Sequence, residues 1–172
     1  KNTWADNFGQ FKPVNLGISA DQTRHVLWRI TEGKEIAPLK PKLAVIMIGT
    51  NNTGGHSAEQ IAGGIKAIVE ELRKQKPEMK ILLLGVFPRA SGVQKGADAP
   101  KEKLNPKIKQ INDIIAKYAD DKNVFYKDIG PKFLNAEGAL ERKVMPDLLH
   151  LSGEGYKIWA VAIKGGIAKL VK

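Results

Sequence analysis

Two patterns of apolar residues alternate along the chain. Short continuous apolar runs, closed by proline, glycine or charged residues, are typical of strands buried on both faces of a parallel sheet. Apolar residues spaced three and four apart are typical of helices that cover such a sheet. The alternation predicts strands at residues 13–18, 43–48, 81–86 and 123–126, and helices ending near 12, beginning at Asp21 and Ser57, spanning about 105–118 and beginning at Ser152.

Strict alternation of strands and helices predicts an α/β fold, with a parallel sheet and helices on both of its faces. The run at 43–48 has six consecutive apolar residues, several of them β-branched, so it is predicted to be a central strand of that sheet. No internal repeat or low-complexity segment interrupts the pattern. A length of 172 residues suits a single domain over residues 1–172.

Local signals support the helix boundaries. The segment Ser57-Ala58-Glu59-Gln60 has the hydroxyl and the glutamine of a capping box, so a helix is predicted to begin after Ser57. Pro77 is predicted to follow the end of that helix.

Composition narrows the class of protein. The formal net charge is +10, but the lysines are scattered and no aromatic residues are interleaved with them. This indicates a solvated basic surface rather than a nucleic-acid partner. No run of about 18 apolar residues exists to span a membrane. The sequence has no cysteine, which excludes disulfides, thiolate metal sites and a cysteine nucleophile.

Two carboxamides, Asn51 and Asn52, follow the predicted central strand at the edge where open α/β sheets bind ligands. One interpretation is structural: both residues shape the turn and cap the next helix. The other is that a side-chain amide donates a hydrogen bond into the crevice at that edge.

A second candidate is the segment Asp147-Leu148-Leu149-His150, just before the last predicted helix. A carboxylate three residues before a histidine can accept from one ring nitrogen and leave the other as a base. The structural alternative is an Asp that caps a turn and a histidine satisfied near a helix start.

The strand-to-helix turn Gly17-Ile18-Ser19-Ala20-Asp21 is a partial match to G-x-S-x-G, with Asp at the last position. Its backbone N–H groups could hold an oxyanion. No glycine-rich phosphate loop is present, and no helix carries ligands at metal-binding spacing.

Several segments together resemble the SGNH (GDSL-type) hydrolases, and within them the catalytic subunits of platelet-activating-factor acetylhydrolase isoform Ib. The resemblance lies, in order along the chain, in Asn15–Arg29 (second signature block), Gly49-Thr50-Asn51-Asn52 (third), Ala62-Gly63-Gly64-Ile65, Leu84–Arg89 and Asp147-Leu148-Leu149-His150 (fifth, D-x-x-H). It covers most of the chain.

The resemblance implies a flavodoxin-like three-layer α/β/α fold and ester hydrolysis through a serine acyl-enzyme, with no metal and no cofactor. It implies that His150 is the general base and that Asp147 orients it. It also implies that the Asn51 side chain and the backbone N–H of Ala20 form the oxyanion hole. The family has Gly at the position of Ala20, a departure that keeps the backbone donor.

The nucleophile is the larger departure from the family pattern. The family serine lies in a Gly-Asp-Ser motif after the first strand, and none of the four serines here follows Gly-Asp. The family's first strand would run between residues 13–18 and 43–48. We therefore expect a segment upstream of residue 1 to supply both that strand and the serine. Ser19 is the alternative nucleophile within the chain.

The function predicted from the sequence is a serine esterase that removes acetyl groups from a lipid or a carbohydrate. The predicted partner is this small acylated substrate; a homodimer is left open, and no compartment is assigned. The competing class is a relative that lost its nucleophile and binds esters or a protein. A third hypothesis, nucleotide binding on a flavodoxin-like fold, lacks a phosphate loop.

Overall fold

The computed structural model describes residues 3–172, and from residue 43 onward strands and helices alternate as predicted. The helices are α1 (Thr3–Phe8), α2 (Thr23–Ile30), α3 (Ala58–Gln75), α4 (Pro106–Ile115) and α5 (Gly153–Leu170), and the strands are β1 (Leu43–Ile46), β2 (Lys80–Leu84) and β3 (Val124–Lys127). Short 3-10 turns lie at Gly9–Phe11, Thr50–Asn52, Lys101–Lys103, Ala116–Tyr118 and Gly130–Phe133. None of the helices in this described part is long and apolar enough to cross a membrane.

The described chain divides into two compact units. The first, here called the helical unit, comprises the residues up to Leu16 together with Phe87–Pro106 and Ile129–Lys169. The second, the sheet unit, comprises Gly17–Val86, Lys107–Asp128 and Leu170–Lys172. The single domain expected from the sequence stays a prediction.

The sheet unit contains three parallel strands in the order β1-β2-β3. Leu82 of β2 is in register with Val45 of β1 on one side and with Phe125 of β3 on the other. Parallel neighbours that follow each other along the chain require helical crossovers, and α3 and α4 provide them. The predicted parallel sheet with flanking helices is confirmed.

The core of the sheet unit forms between α3 and one face of the sheet. Ile61, Ile65 and Ile68 of α3 are fully buried in one cluster with Ile81 and Leu83 of β2. Removing each such side chain from water contributes about 1.5–3 kcal/mol. The same packing fixes the position of the loop after β1, because that loop leads into α3.

The start of α3 is as predicted. The hydroxyl of Ser57 accepts from the N–H of Gln60 at 3.2 Å, and the N–H of Ser57 donates to the side-chain oxygen of Gln60 at 2.9 Å. These reciprocal bonds form the capping box.

The prediction that 43–48 is a central strand buried on both faces is wrong for the described chain. The strand ends at Ile46 and lies at the edge of the sheet. Ala44 and Ile46 pack against the core cluster, whereas Val45 is 38% exposed and Met47 is 37% exposed. The apolar run forms a strand, as its composition predicts, but no strand of residues 3–172 covers its outer edge.

The strand predicted at residues 13–18 is also absent. The segment is irregular, and Val14, Leu16 and Ile18 expose their side chains. Their alternation is that of a strand, but a strand needs a neighbour to satisfy its backbone groups. None of the described strands pairs with this segment.

In the helical unit, α1 packs on α5 through aromatic rings. The ring of Phe8 lies edge-on to Trp159 with 5.2 Å between centroids, and Trp4 stacks on Trp159 at 6.4 Å. The helix predicted to end near residue 12 is thus present from Thr3. Lys1 and Asn2, which that prediction included, lie outside the described residues.

Candidate active site

The helical unit brings Asp147 and His150 into direct contact. Asp147 Oδ2 lies 2.6 Å from His150 Nδ1, while Oδ1 accepts from the backbone N–H groups of His150 at 2.7 Å and Leu149 at 3.1 Å. A carboxylate only accepts hydrogen bonds, so Nδ1 must carry the proton. In the neutral ring Nε2 is then unprotonated, which is the state a general base needs. The ring itself is 75% exposed.

The turn that presents this pair is held by Leu148. Its φ of +61° is in the left-handed region, which a leucine occupies only when its surroundings hold it there. The Leu148 side chain is 2% exposed, and its carbonyl accepts from the N–H of Ala90 at 3.1 Å. Burial and this bond fix the backbone between the carboxylate and the imidazole.

The charge state of Asp147 follows from the same contacts. Partial burial raises the pKa of the Asp147 carboxyl. The hydrogen bonds from the N–H and ring of His150 and from the N–H of Leu149 outweigh that effect, and the pKa is lowered to about 2. Asp147 is therefore ionised at any pH near neutrality and can fix the tautomer of His150.

The sheet unit holds the other two predicted site residues. Ala20 occupies a turn closed by the N–H of Asp21 and the carbonyl of Ile18 at 3.3 Å, and its φ is +65°. Glycine is the usual residue at such a position in a turn. Within residues 3–172, the N–H of Ala20 meets no acceptor. It is thus available to a ligand.

The side chain of Asn51 is fixed beside this turn. Its Nδ2 donates to the carbonyl of Asp21 at 3.0 Å. A carbonyl only accepts, so this bond sets the orientation of the amide. One N–H of the Asn51 amide is used in this way, and the second has no acceptor in the described part of the chain.

Asn52 has a different environment from Asn51. It is 3% exposed, and its Oδ1 accepts from the N–H of Thr23, the first residue of α2, at 3.1 Å. The structural interpretation, in which both asparagines cap the next helix, is therefore wrong. Ser57 caps α3, whereas Asn52 accepts from the first N–H of α2, which precedes it in the sequence.

An ion-pair network, which the sequence analysis missed, holds the turn that contains Ala20 in place. The Asp21 carboxylate pairs with Arg29 of α2, and Arg29 also pairs with Glu35. The side chains of Asp21 and Arg29 are only 12% and 13% exposed. The one signal in the sequence that could have indicated this pair is its spacing, because the basic Arg29 follows the acidic Asp21 after about two helical turns.

Two of the four serines are engaged in capping helices. Ser57 accepts from the N–H of Gln60, and Ser152 accepts from the N–H groups of Glu154 and Gly155 at 3.1 Å. Both caps are as the sequence predicted. Ser19 is exposed in the turn before Ala20, and Ser91 is exposed in an irregular segment. No group of three or more metal-ligating side chains forms within residues 3–172.

We expect Ala20→Gly to stabilise the protein by about 0.5–1 kcal/mol. Left-handed φ costs an alanine about 1–2 kcal/mol, and the greater freedom of glycine in the unfolded chain offsets part of that gain. The thermal midpoint should rise by a few degrees. The matched control is Ala168→Gly in α5, where glycine should instead lower the midpoint. A lower midpoint for Ala20→Gly would contradict the strain assigned to this turn.

The described chain thus combines a parallel sheet with flanking helices and a carboxylate–histidine pair, two features that also occur together in hydrolases that act by acyl transfer. Residues 1–158 match the model of the GDSL-like Lipase/Acylhydrolase family. The chain belongs to this family.

Individual relatives agree with the family match. The chain is 36% identical over 154 residues to platelet-activating factor acetylhydrolase IB subunit alpha1 from Homo sapiens. The aligned region covers 89% of this chain and 62% of that relative. The chain therefore spans less than two thirds of the length of that relative.

Solved structures extend the comparison. A GDSL-like lipase from Bacteroides thetaiotaomicron matches with a TM-score of 0.77 and 26% identity, over 97% of this chain and 80% of that chain. A carbohydrate acetylesterase from Sinorhizobium meliloti matches with a TM-score of 0.65 and 20% identity, over 91% and 78% of the two chains. At that identity the second match concerns the fold alone.

Proposed function

We propose that this chain is the larger part of a serine esterase that removes acetyl groups from a small ester. The observation that carries the proposal is the Asp147–His150 contact, because the ionised carboxylate leaves Nε2 of the ring as a base. In the proposed reaction Nε2 takes the proton of a serine hydroxyl as the oxygen attacks the ester carbonyl. The imidazolium that forms then protonates the leaving alcohol.

The oxyanion of the tetrahedral intermediate is proposed to be bound by the N–H of Ala20 and one N–H of Asn51. Both donors lack acceptors among the described residues, and both are held by neighbouring contacts. Donors fixed in advance stabilise developing charge without reorganising during the reaction. Water then hydrolyses the acyl-enzyme with His150 as base, which releases acetate and restores the serine.

The nucleophile is proposed to come from a segment upstream of residue 1, as Gly-Asp-Ser at the end of an apolar strand. The open edge of β1 supports this proposal, because among the described strands β1 pairs only with β2. An unpaired apolar edge is costly unless another strand covers it. One added strand would thus complete the sheet and deliver the serine.

The acyl group is proposed to be acetyl, on a lipid or carbohydrate alcohol. The name of the human relative, an acetylhydrolase, supports the acyl group. The alcohol is left open between these two classes. The two classes can be separated by a competition assay. An acetylated phospholipid or an acetylated sugar is added, and the one that slows the hydrolysis of p-nitrophenyl acetate identifies the class of alcohol.

The 172-residue chain alone is expected to be inactive on p-nitrophenyl acetate. The protein made from the full coding sequence, which includes the segment proposed to lie upstream of residue 1 and is here called the full coding product, is expected to hydrolyse this ester. Without a nucleophile, a His–Asp pair and an oxyanion hole give only residual catalysis through water. Adding roughly 20–30 upstream residues, enough for a strand and a helix start, should also raise the thermal midpoint.

The control for this comparison is Ser19→Ala in both forms. It should leave the hydrolysis by the full coding product within about threefold of the unchanged protein. If the short chain hydrolyses the ester well and Ser19→Ala abolishes this activity, Ser19 is the nucleophile and the proposal of an upstream serine is wrong.

A further inference from the structure

Asn52 carries one of the few polar side chains buried in the sheet unit. At 3% exposure its carboxamide is almost entirely out of water, and its Oδ1 accepts from the N–H of Thr23 across 29 positions of sequence. The first N–H groups of a helix have no partner inside that helix, so a buried α2 terminus needs an acceptor from elsewhere. Asn52 provides it from the loop after β1.

The position of this bond relates it to the proposed oxyanion hole. Thr23 lies two residues after Asp21, the last residue of the turn that contains Ala20, and Asn52 directly follows Asn51. Two further hydrogen bonds join the same two segments, from Asn51 Nδ2 to the Asp21 carbonyl at 3.0 Å and from Gln22 Nε2 to the Asn51 carbonyl at 3.3 Å. Only the bond to Asn52 comes from a buried side chain, where water competes least.

The two segments that this bond joins are each packed closely on α3. A Cβ on Gly64 of α3 would lie 2.5 Å from Oγ1 of Thr23, so the start of α2 sits against a helix surface without side chains. Gly49, at φ +115°, begins the other segment, and a Cβ there would lie 2.8 Å from Ile61. The two segments that the Asn52 hydrogen bond joins are therefore both held rigidly against α3.

We propose that Asn52 is a positioning residue that holds the N–H of Ala20 and the amide of Asn51 at a fixed separation. The inference rests on the proposed esterase function and deepens it. Loss of Oδ1 leaves the Thr23 N–H unsatisfied and lets the Asn51 loop shift away from the turn. A displacement of about 1 Å in a catalytic group can cost about a hundredfold in rate.

The kinetic test compares Asn52→Ala and Asn52→Asp in the full coding product with p-nitrophenyl acetate. Asn52→Ala should lower kcat about 10- to 100-fold and leave KM within about threefold, because the donors act mainly on the transition state. Asn52→Asp keeps an acceptor oxygen at the same place and should restore kcat to within about fivefold. A kcat for Asn52→Ala within about threefold of the unchanged protein would overturn the proposal.

Asn112→Ala is the matched control for lost stability. Asn112 is 8% exposed in the same unit, and its carboxamide bonds both the N–H and the carbonyl of Val86 at 2.8 and 3.0 Å. Its loss should lower the thermal midpoint at least as much as Asn52→Ala. Measured well below both midpoints, kcat should change by less than about threefold. An equal fall in kcat would mean that Asn52 acts only through stability.

A double-mutant cycle tests whether Asn52 acts through Asn51. With Asn51 already replaced by alanine, Asn52→Ala should lower kcat by no more than about threefold further, because one of the donors it positions is gone. Fully additive losses would refute positioning of Asn51.

Nuclear magnetic resonance separates failure of this inference from failure of the esterase proposal. In the 172-residue chain, which needs no activity for this measurement, Asn52→Ala should shift the side-chain amide signals of Asn51. Asn112→Ala should leave them in place. If no form of the protein hydrolyses esters but this shift occurs, the proposed function fails and the positioning by Asn52 stands. Unmoved Asn51 signals would overturn the positioning.

Discussion

His150→Ala in the full coding product is expected to lower kcat for p-nitrophenyl acetate at least about a thousandfold. The substitution removes the base, and general acid–base catalysis together with an activated nucleophile accounts for a loss of that size. The contact of Nδ1 with Asp147 at 2.6 Å is the physical basis of the expectation. Steady-state kinetics over a range of ester concentrations measures it.

His56→Ala is the matched control for this substitution. His56 is exposed in the sheet unit, and its loss should leave kcat within about threefold. Because the pKa of Asp147 is lowered to about 2, protonation of that carboxylate does not contribute to a loss of activity between pH 5 and 7. Activity of His150→Ala within tenfold of the unchanged protein would remove His150 from the mechanism.

Asn51→Ala is expected to cost about 2.7–4 kcal/mol of transition-state stabilisation, or about 10²–10³ in kcat. The exposed amide contributes little to stability, so the thermal midpoint should change by only a few degrees. Asn51→Asp is the informative comparison, because it keeps the shape of the side chain but offers oxygens in place of the two N–H donors. It should lose at least as much activity as the alanine variant.

The pattern of the kinetic change distinguishes two roles for Asn51. A fall in kcat with an unchanged KM marks a group that acts in the transition state. A change confined to KM would instead identify Asn51 as a substrate-positioning or structural residue.

Elements whose signals are local could be predicted well from the sequence. The capping box at Ser57 and the helical spacing after it placed the start of α3 correctly. The Asp147–His150 contact was equally predictable, because a carboxylate three residues before a histidine can reach its ring across a single turn. In both cases sequence spacing alone determines which groups can meet.

Features that depend on distant residues could not be predicted in this way. Residues 13–18 have the alternation of a strand, yet a strand requires a neighbouring strand, and none of the three strands in the described sheet is paired with this segment. The apolar run at 43–48 predicts a strand at the centre of the sheet, because its composition does not reveal that one edge of the strand is open. Both errors concern what lies beside a strand rather than the strand itself.

The role of Asn52 shows the same limit within the candidate site. Its neighbour in the chain, Asn51, has the same side chain but an exposed amide, whereas Asn52 is buried against the start of α2. Asn51 and Asn52 are of the same residue type and differ only in the direction in which each side chain points. The packing of α2 on α3 determines that direction. No periodicity in the sequence carries this information.

Peptide mapping after treatment with a fluorophosphonate tests the central proposal most directly, because this reagent forms a covalent bond with an activated serine. The full coding product is treated, digested and mapped by mass spectrometry, with His150→Ala as the control. We predict a single label, on the serine of a Gly-Asp-Ser sequence upstream of residue 1, which His150→Ala strongly reduces. A label on Ser19, or rapid ester hydrolysis with no labelled serine, would contradict the proposed mechanism.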